Sequence, residues 1–175
     1  MKIPFRKRLS PDQIQALIAC CGKLNWPDTH VGYLAACIAF ETGETFSPTI
    51  RNAAGSGAIG LIQFMPATAR ALGTSVAELS HLDFIRQMMY VAKYFEPYKD
   101  RIHNLNDMYL AILMPKFIGR SPDTRVFINP SIEYRQNSGL DANKDGFITV
   151  REICAKVQAK SVSYTHLRAH ETRED

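Results

Sequence analysis

Glu41 is the residue best placed for acid–base chemistry. It follows Ile38 by three residues and Leu34 by seven. On a helix, that spacing sets its carboxyl on the same face as the apolar stripe Val31, Leu34, Ala35 and Ile38. A carboxylate on such a face costs free energy unless it is paired or protonated. Burial raises a carboxyl pKa, which turns a glutamate into a general acid near neutral pH. The negative end of the helix macrodipole pushes the same way. The competing reading is a glutamate at a frayed helix end, reaching into water. The segment alone leaves both open, and Glu44 is a weaker second candidate.

A glycine-rich stretch follows, from Asn52 to Pro66, with Gly55, Gly57 and Gly60 close together and Gln63 after them. Glycines let backbone amides and carbonyls approach a ligand. Gln63 offers both a donor and an acceptor, which suits the acetamido and hydroxyl groups of a sugar. A structural turn would use the same glycines. No Gly-Lys-Ser/Thr closes the stretch, so it is not a phosphate loop.

A second constellation spans residues 141–152. Asp141, Asn143 and Asp145 stand at positions 1, 3 and 5 of a twelve-residue loop, Gly146 at 6, Phe147 at 7, Thr149 at 9 and Glu152 at 12. This is the spacing of an EF-hand calcium loop, which wraps hard oxygens around one point. Asp, Asn and Gly are also ordinary turn residues, and Thr149 to Glu152 is also a capping box. Those readings explain pieces, not all ligand positions together. With one loop instead of a pair, a structural staple is expected, not a signalling switch. His30, His81 and His103 form no spaced cluster and read as surface or helix-end residues.

These residues need helices to hold them. The chain has 175 residues, 46% hydrophobic and 22% charged, enough for one domain with a real core. The net charge of +4 lacks the dense basic stripe of a nucleic-acid protein and suits an acidic polymer as substrate. No apolar run approaches the ~20 residues of a membrane span, and we read no cleavable signal after the basic N-terminus. The four cysteines, Cys20, Cys21, Cys37 and Cys154, lack a CxxC pair and read as buried free thiols.

Helices are expected over residues 11–22, from Asp28 as a cap through Ile38, over 66–72, 83–95, 107–114, and from near Thr149 to about Ala159. Residues 116–130 read as loop. Tyr90, Tyr94, Phe95 and Tyr98 read as core packing, and Met88, Met89, Met108 and Met114 as core fillers. The string at 161–175 has no apolar periodicity. It looks like translated cloning sequence or a solvated tail and is set aside.

A glutamate at a helix end, then Phe46-Ser47-Pro48, then Gly57-Ala58-Ile59-Gly60-Leu61-Ile62-Gln63-Phe64-Met65-Pro66 resembles the Slt-type lytic transglycosylases, relatives of goose-type lysozyme, in their phage and prophage forms. The match is dense over residues 39–73 and looser to about Gly119. The resemblance implies Glu41 as catalytic acid/base. It also implies a sugar cleft lined by Ser56, Gly57, Gly60 and Gln63. Many members carry an Ala-Tyr-Asn-Ala-Gly segment on a later helix; residues 110–115 stand there without it, and Tyr109 is our candidate for the missing hydroxyl.

The expected architecture is therefore an all-α, lysozyme-like domain over residues 1–130. A calcium-binding segment at 131–160 packs on it, with Asp141, Asn143, Asp145, Phe147, Thr149 and Glu152 as ligands of a structural Ca2+. The expected partner is a peptidoglycan glycan strand, with no nucleic acid, for a chain read as a monomer. Its location is left open. The rivals are a hydrolytic lysozyme on the same scaffold, a non-catalytic wall-binding or virion module, and a calcium-dependent interaction protein.

Overall fold

In the computed structural model, residues 3–53 and 55–171 are described, with side chains through residue 161. The chain is helix-rich with one small sheet. Helix α1 (Pro11–Lys23) starts where its sequence signals place it. Gln13 N–H donates to Ser10 Oγ at 3.1 Å, and Ser10 N–H donates back to Gln13 Oε1 at 2.9 Å. This closes a capping box ahead of Pro11.

Helix α2 (Thr29–Glu41) forms the centre. Its sequence promises an apolar stripe, but residues on every side of it are buried, from His30 to Gly32 and from Leu34 to Ala39. A helix apolar all round must be enclosed. Helices α1, α6 (Leu105–Leu113) and α8 (Val150–Glu171) enclose it, and α5 (Phe84–Phe95) lies along α1. Asp28 sits at the N-cap of α2 as expected, yet its side chain makes no capping bond. His30 departs from expectation. It is buried, and its Nε2 lies 2.9 Å from the Ile102 carbonyl, with Trp26 and Tyr33 packed against the ring. Its polar tip is satisfied by backbone, which makes burial affordable.

Two short helices, α3 (Pro66–Ala71) and α4 (Val76–Leu79), lead into α5. Asp83 caps α5, accepting from Arg86 N–H at 2.8 Å. Met88 faces the core, whereas Met89 is 61% exposed and is not the core filler it was read as. One residue step turns a helical side chain through about 100°, away from the buried face. Helix α6 starts two residues before its expected first residue, because Asn104 accepts from Asp107 N–H at 3.0 Å and caps it there.

Residues 116–130 are not loop throughout. Strand β1 (Arg125–Ile128) pairs antiparallel with β2 (Phe147–Thr149), and the Arg125 guanidinium lies 3.6 Å from the centre of the Phe147 ring. A further helix, α7 (Ile132–Asn137), precedes the acidic loop. Helix α8 runs to Glu171 instead of ending near Ala159. The tail reading at 161–175 thus meets a helical backbone through Glu171 and otherwise lies outside the described residues, which end at 161 for side chains and at 171 for backbone. All four cysteines are buried and free. Among the described residues, no helix is long and apolar enough to cross a membrane.

Candidate functional site

Glu41 is the last residue of α2, half-buried, and its side chain makes no hydrogen bond or ion pair among the described residues. Burial pushes its carboxyl up to about 7. Its charge reaches ionisable groups on three helices. Cys37 precedes it by one turn on α2, Tyr94 is on α5 and Tyr109 is on α6. Both tyrosine hydroxyls are held well above their usual range, first by burial and further by charge, that of Glu41 included.

Thr42 fixes the end of α2. It is fully buried; its Oγ1 donates to the Ile38 carbonyl at 2.7 Å and accepts from Phe46 N–H at 3.0 Å. Glu44 N–H donates to the Ala39 carbonyl at 2.6 Å. The last carbonyls of the helix thus find partners in the turn itself. Glu44, the weaker acid candidate, is committed elsewhere. Its carboxylate pairs with Arg8 at 3.4 Å and with Lys160 of α8. It ties the turn after Glu41 to the segment before α1 and to α8.

The glycine-rich stretch folds back on itself through antiparallel bridges from Arg51 to Ile59 and from Ile59 to Phe64. Gln63 Nε2 donates to the carbonyls of Gly60 at 3.1 Å and Ile50 at 3.3 Å. Its amide nitrogen is thereby occupied, and its Oε1 has no donor among the described residues. Held this way, Gln63 offers an acceptor suited to an N–H or O–H of a ligand. Ser56 and Gly57 are exposed, and Ser56 Oγ accepts from Ala58 N–H at 3.3 Å.

Gly60 is buried against a protein neighbour. A Cβ there would stand 2.8 Å from Gln87 Cδ, and its φ is +81°. Gln87, which the sequence did not single out, is fully buried. Its Oε1 accepts from Leu61 N–H at 2.7 Å, while its Nε2 donates to the carbonyls of Pro48 at 2.8 Å and Leu79 at 3.3 Å. One amide on α5 thus fastens the turn after α2, the glycine-rich stretch and the end of α4. No local pattern marks it, since a glutamine on a helix reads as surface. Its one sequence-level trace is its place on the apolar face of α5, one residue before Met88.

Tyr109 is 7% exposed and packs edge-on against Phe40, ring centres 5.3 Å apart. Tyr94 donates to the carbonyls of Ala111 at 2.6 Å and Ile112 at 3.3 Å, bracing α6 behind Tyr109. The shallow apolar groove between α1 and α5, lined by residues such as Ala16 and Met89, shares no residue with this site.

The acidic loop is closed by its own backbone. Asp141 Oδ1 accepts from Asp145 N–H at 3.2 Å, and its Oδ2 accepts from Gly146 N–H at 3.0 Å and the Tyr134 hydroxyl at 2.6 Å. The Tyr134 bond, with backbone amides behind it, holds the Asp141 carboxyl below its usual range. Asn143 Oδ1 accepts from Asp145 N–H, and Asp145 Oδ1 from Phe147 N–H. Glu152 Oε2 accepts from both Thr149 N–H and Oγ1, while Oε1 accepts from Ala142 N–H at 3.1 Å. The capping box at the start of α8 is therefore formed. A carboxylate oxygen that accepts one or two bonds keeps lone-pair capacity, so these residues suit a hard cation chemically. Among the described residues, however, no group of three or more His, Cys, Asp or Glu side chains gathers closely enough to hold a metal ion. Compared with protein-family models, curated proteins and solved structures, the chain matches none.

Proposed function

We propose that the chain is a peptidoglycan lytic transglycosylase with a lysozyme-like fold, in which Glu41 is the acid/base. The observation that carries this reading is the state of Glu41. It is half-buried at the end of an enclosed helix, without a hydrogen-bond partner, and poised near neutrality by burial. A structural glutamate in such a place would be paired. The resemblance of residues 39–73 supplies the substrate class.

In this mechanism Glu41, protonated at rest, gives its proton to the oxygen bridging MurNAc and GlcNAc. The carboxylate then takes the proton of the MurNAc C6 hydroxyl as that oxygen attacks C1, and a 1,6-anhydro end forms without water. One carboxyl serves both steps. A hydrolase of this kind ordinarily uses two carboxyl groups ~5–9.5 Å apart, and Glu44, the nearest other acid in sequence, is spent on Arg8 and Lys160. This favours transglycosylation over lysozyme-type hydrolysis. Gln63 Oε1 would accept from an acetamido N–H or a sugar hydroxyl.

The loop at 141–152 is read as a structural calcium site on its ligand types and spacing, its acidic side chains being turned to backbone donors instead of gathered around one point. Asp141, Asn143, Asp145, Thr149 and Glu152 would hold the ion by side-chain oxygens and Phe147 by its carbonyl. Bound there, the ion would neutralise the loop's acidic charge and fasten β2 to α8.

Mass spectrometry of sugars released from purified cell wall tests the activity. Anhydro-MurNAc ends are expected, and Glu41→Gln should lower their release by roughly 10²–10⁴-fold. Reducing MurNAc ends would mean hydrolysis instead. No release by the wild type, or undiminished release by Glu41→Gln, would remove the enzymatic reading.

A further inference from the structure

We propose that the outer face of α1 and α5 is a self-association surface, on which a second copy of this chain docks about a two-fold axis with the two α1 helices antiparallel. The surface shares no residue with the Glu41 site, so this dimer stands apart from the reading of that site and replaces the monomer expected from the sequence.

An apolar groove runs between α1 and α5, with the buried Cys20 and Met88 at its floor and Ala16, Ala19, Ile85 and Met89 along its sides. Ile85 is 49% exposed and Met89 61%. The two stand one helical turn apart beside the groove, so they form a patch and not two scattered side chains. Covering such a patch releases apolar area from water, which is the main drive of association.

One stripe of α1 points to a second copy as the cover. Asp12, Ala16, Ala19 and Lys23 succeed one another at intervals of four, three and four residues. At about 100° per residue they lie within about 60° of one another, on one face of the helix. The acid is in the first turn and the base in the last, and Ala16, Ala19 and Lys23 border the groove itself. The spacing reads the same from either end, with the charges exchanged. Laid antiparallel on a second copy, Ala16 meets the partner's Ala19 and Asp12 meets the partner's Lys23, each twice over by symmetry. A parallel copy would set acid on acid and base on base. Asp12 and Lys23 are exposed, and neither side chain has a hydrogen bond or an ion pair among the described residues.

The alanines put little bulk between the helices, which can approach to the ~8 Å of close helix packing. The axis that relates the two α1 helices also lays α5 over the partner's α5, which takes Ile85 and Met89 out of water. A face two helices wide and as long as the 13 residues of α1 covers on the order of 400 Å² per copy, about half of the ~800 Å² per partner of a standard interface. The association is therefore reversible and grows with protein concentration.

Sedimentation equilibrium of the whole chain at low salt, between about 10 μM and about 1 mM, tests this. The average mass of the wild type is expected to climb from that of one chain towards that of two. Asp12→Lys makes both ends of the stripe basic, and Lys23→Asp makes both acidic. Each variant alone should self-associate about tenfold more weakly or worse, while an equimolar mixture of the two should associate again. Met89→Glu, which leaves α1 unaltered, should also weaken the wild-type association, and thermal melts check that each variant is folded. A wild type that keeps the mass of one chain throughout would overturn the proposal. So would single variants that associate as the wild type does, a mixture that fails to recover, or a Met89→Glu that changes nothing. None of these results bears on Glu41.

Discussion

Gly60 and Gln87 occupy each other's space: the face of Gly60 where a Cβ would point is filled by the Gln87 carboxamide. The same carboxamide bonds the backbone of Leu61, Pro48 and Leu79. Gly60→Ala therefore meets two penalties, a positive φ that an L side chain resists and displacement of a buried amide from its partners. The two together are expected to cost about 3 kcal/mol or more, which for a chain of this size lowers the melting temperature by roughly 6–12 °C. Gln87→Ala, which strands Leu61 N–H and two carbonyls, should cost a similar amount. In the double variant the added methyl enters the space Gln87 has left, so the two losses should sum to more than the pair together shows. Strict additivity in urea melts would refute the contact.

Glu41 gives the site a stability signature that needs no substrate. Its folded pKa of about 7 lies above its ordinary value of 4.5. The folded protein thus holds this proton more tightly than the unfolded chain. The resulting stabilisation is complete below pH ~4.5 and is lost as pH rises through about 7. Glu41→Gln, which stays neutral, escapes that loss. It should melt with the wild type at pH 4 and above it at pH 8, by an amount on the order of 2 kcal/mol. Activity should fall along the same limb, as the acid loses its proton. A variant equally or less stable than wild type at both pH values would place Glu41 in water or in an unseen pair.

Much of this frame was legible in the sequence, and the gaps have causes. The starts of α1 and α5 were legible to within a residue, because Ser10 and Asp83 cap them by local chemistry. For Glu41 the spacing from Leu34 and Ile38 left two readings open, a half-buried acid or a helix end in water, and the packing around α2 decided for the first. The enclosure of α2 on all sides was not legible, since a period in one helix cannot say how many neighbours cover it. Strand β1 was missed because its partner β2 lies some 20 residues away inside the acidic loop, and four residues carry too little period to stand alone. Gln87 and Thr42 were missed because a buried polar residue is recognisable only once its partners are in place. Glu44 and Lys160 are 116 residues apart, and nothing local joins them. His30 illustrates the converse: its type suggested surface, and the Ile102 carbonyl decided otherwise.

The loop at 141–152 admits two accounts that a single pair of variants separates. As a capped turn, it uses Glu152 to accept from Thr149 and Ala142; a glutamine at 152 keeps the Thr149 bonds, since capping boxes accept Glu or Gln, and gives up only the bond from Ala142 N–H. As a calcium site, it needs the charge of Glu152 and of Asp145, and amides in their place would remove it while preserving the turn geometry. With calcium at about a hundred times its Kd, the wild type should gain roughly 2.7 kcal/mol, or about 5–11 °C in melting temperature, and lose it on chelation. Glu152→Gln and Asp145→Asn should melt near the calcium-free wild type and show no response to the ion. Magnesium, which dehydrates reluctantly and demands a tighter octahedron, should reproduce little of the shift. A wild type whose melting is indifferent to millimolar calcium, matched by Glu152→Gln under every condition, would leave the loop as a capped turn and nothing more.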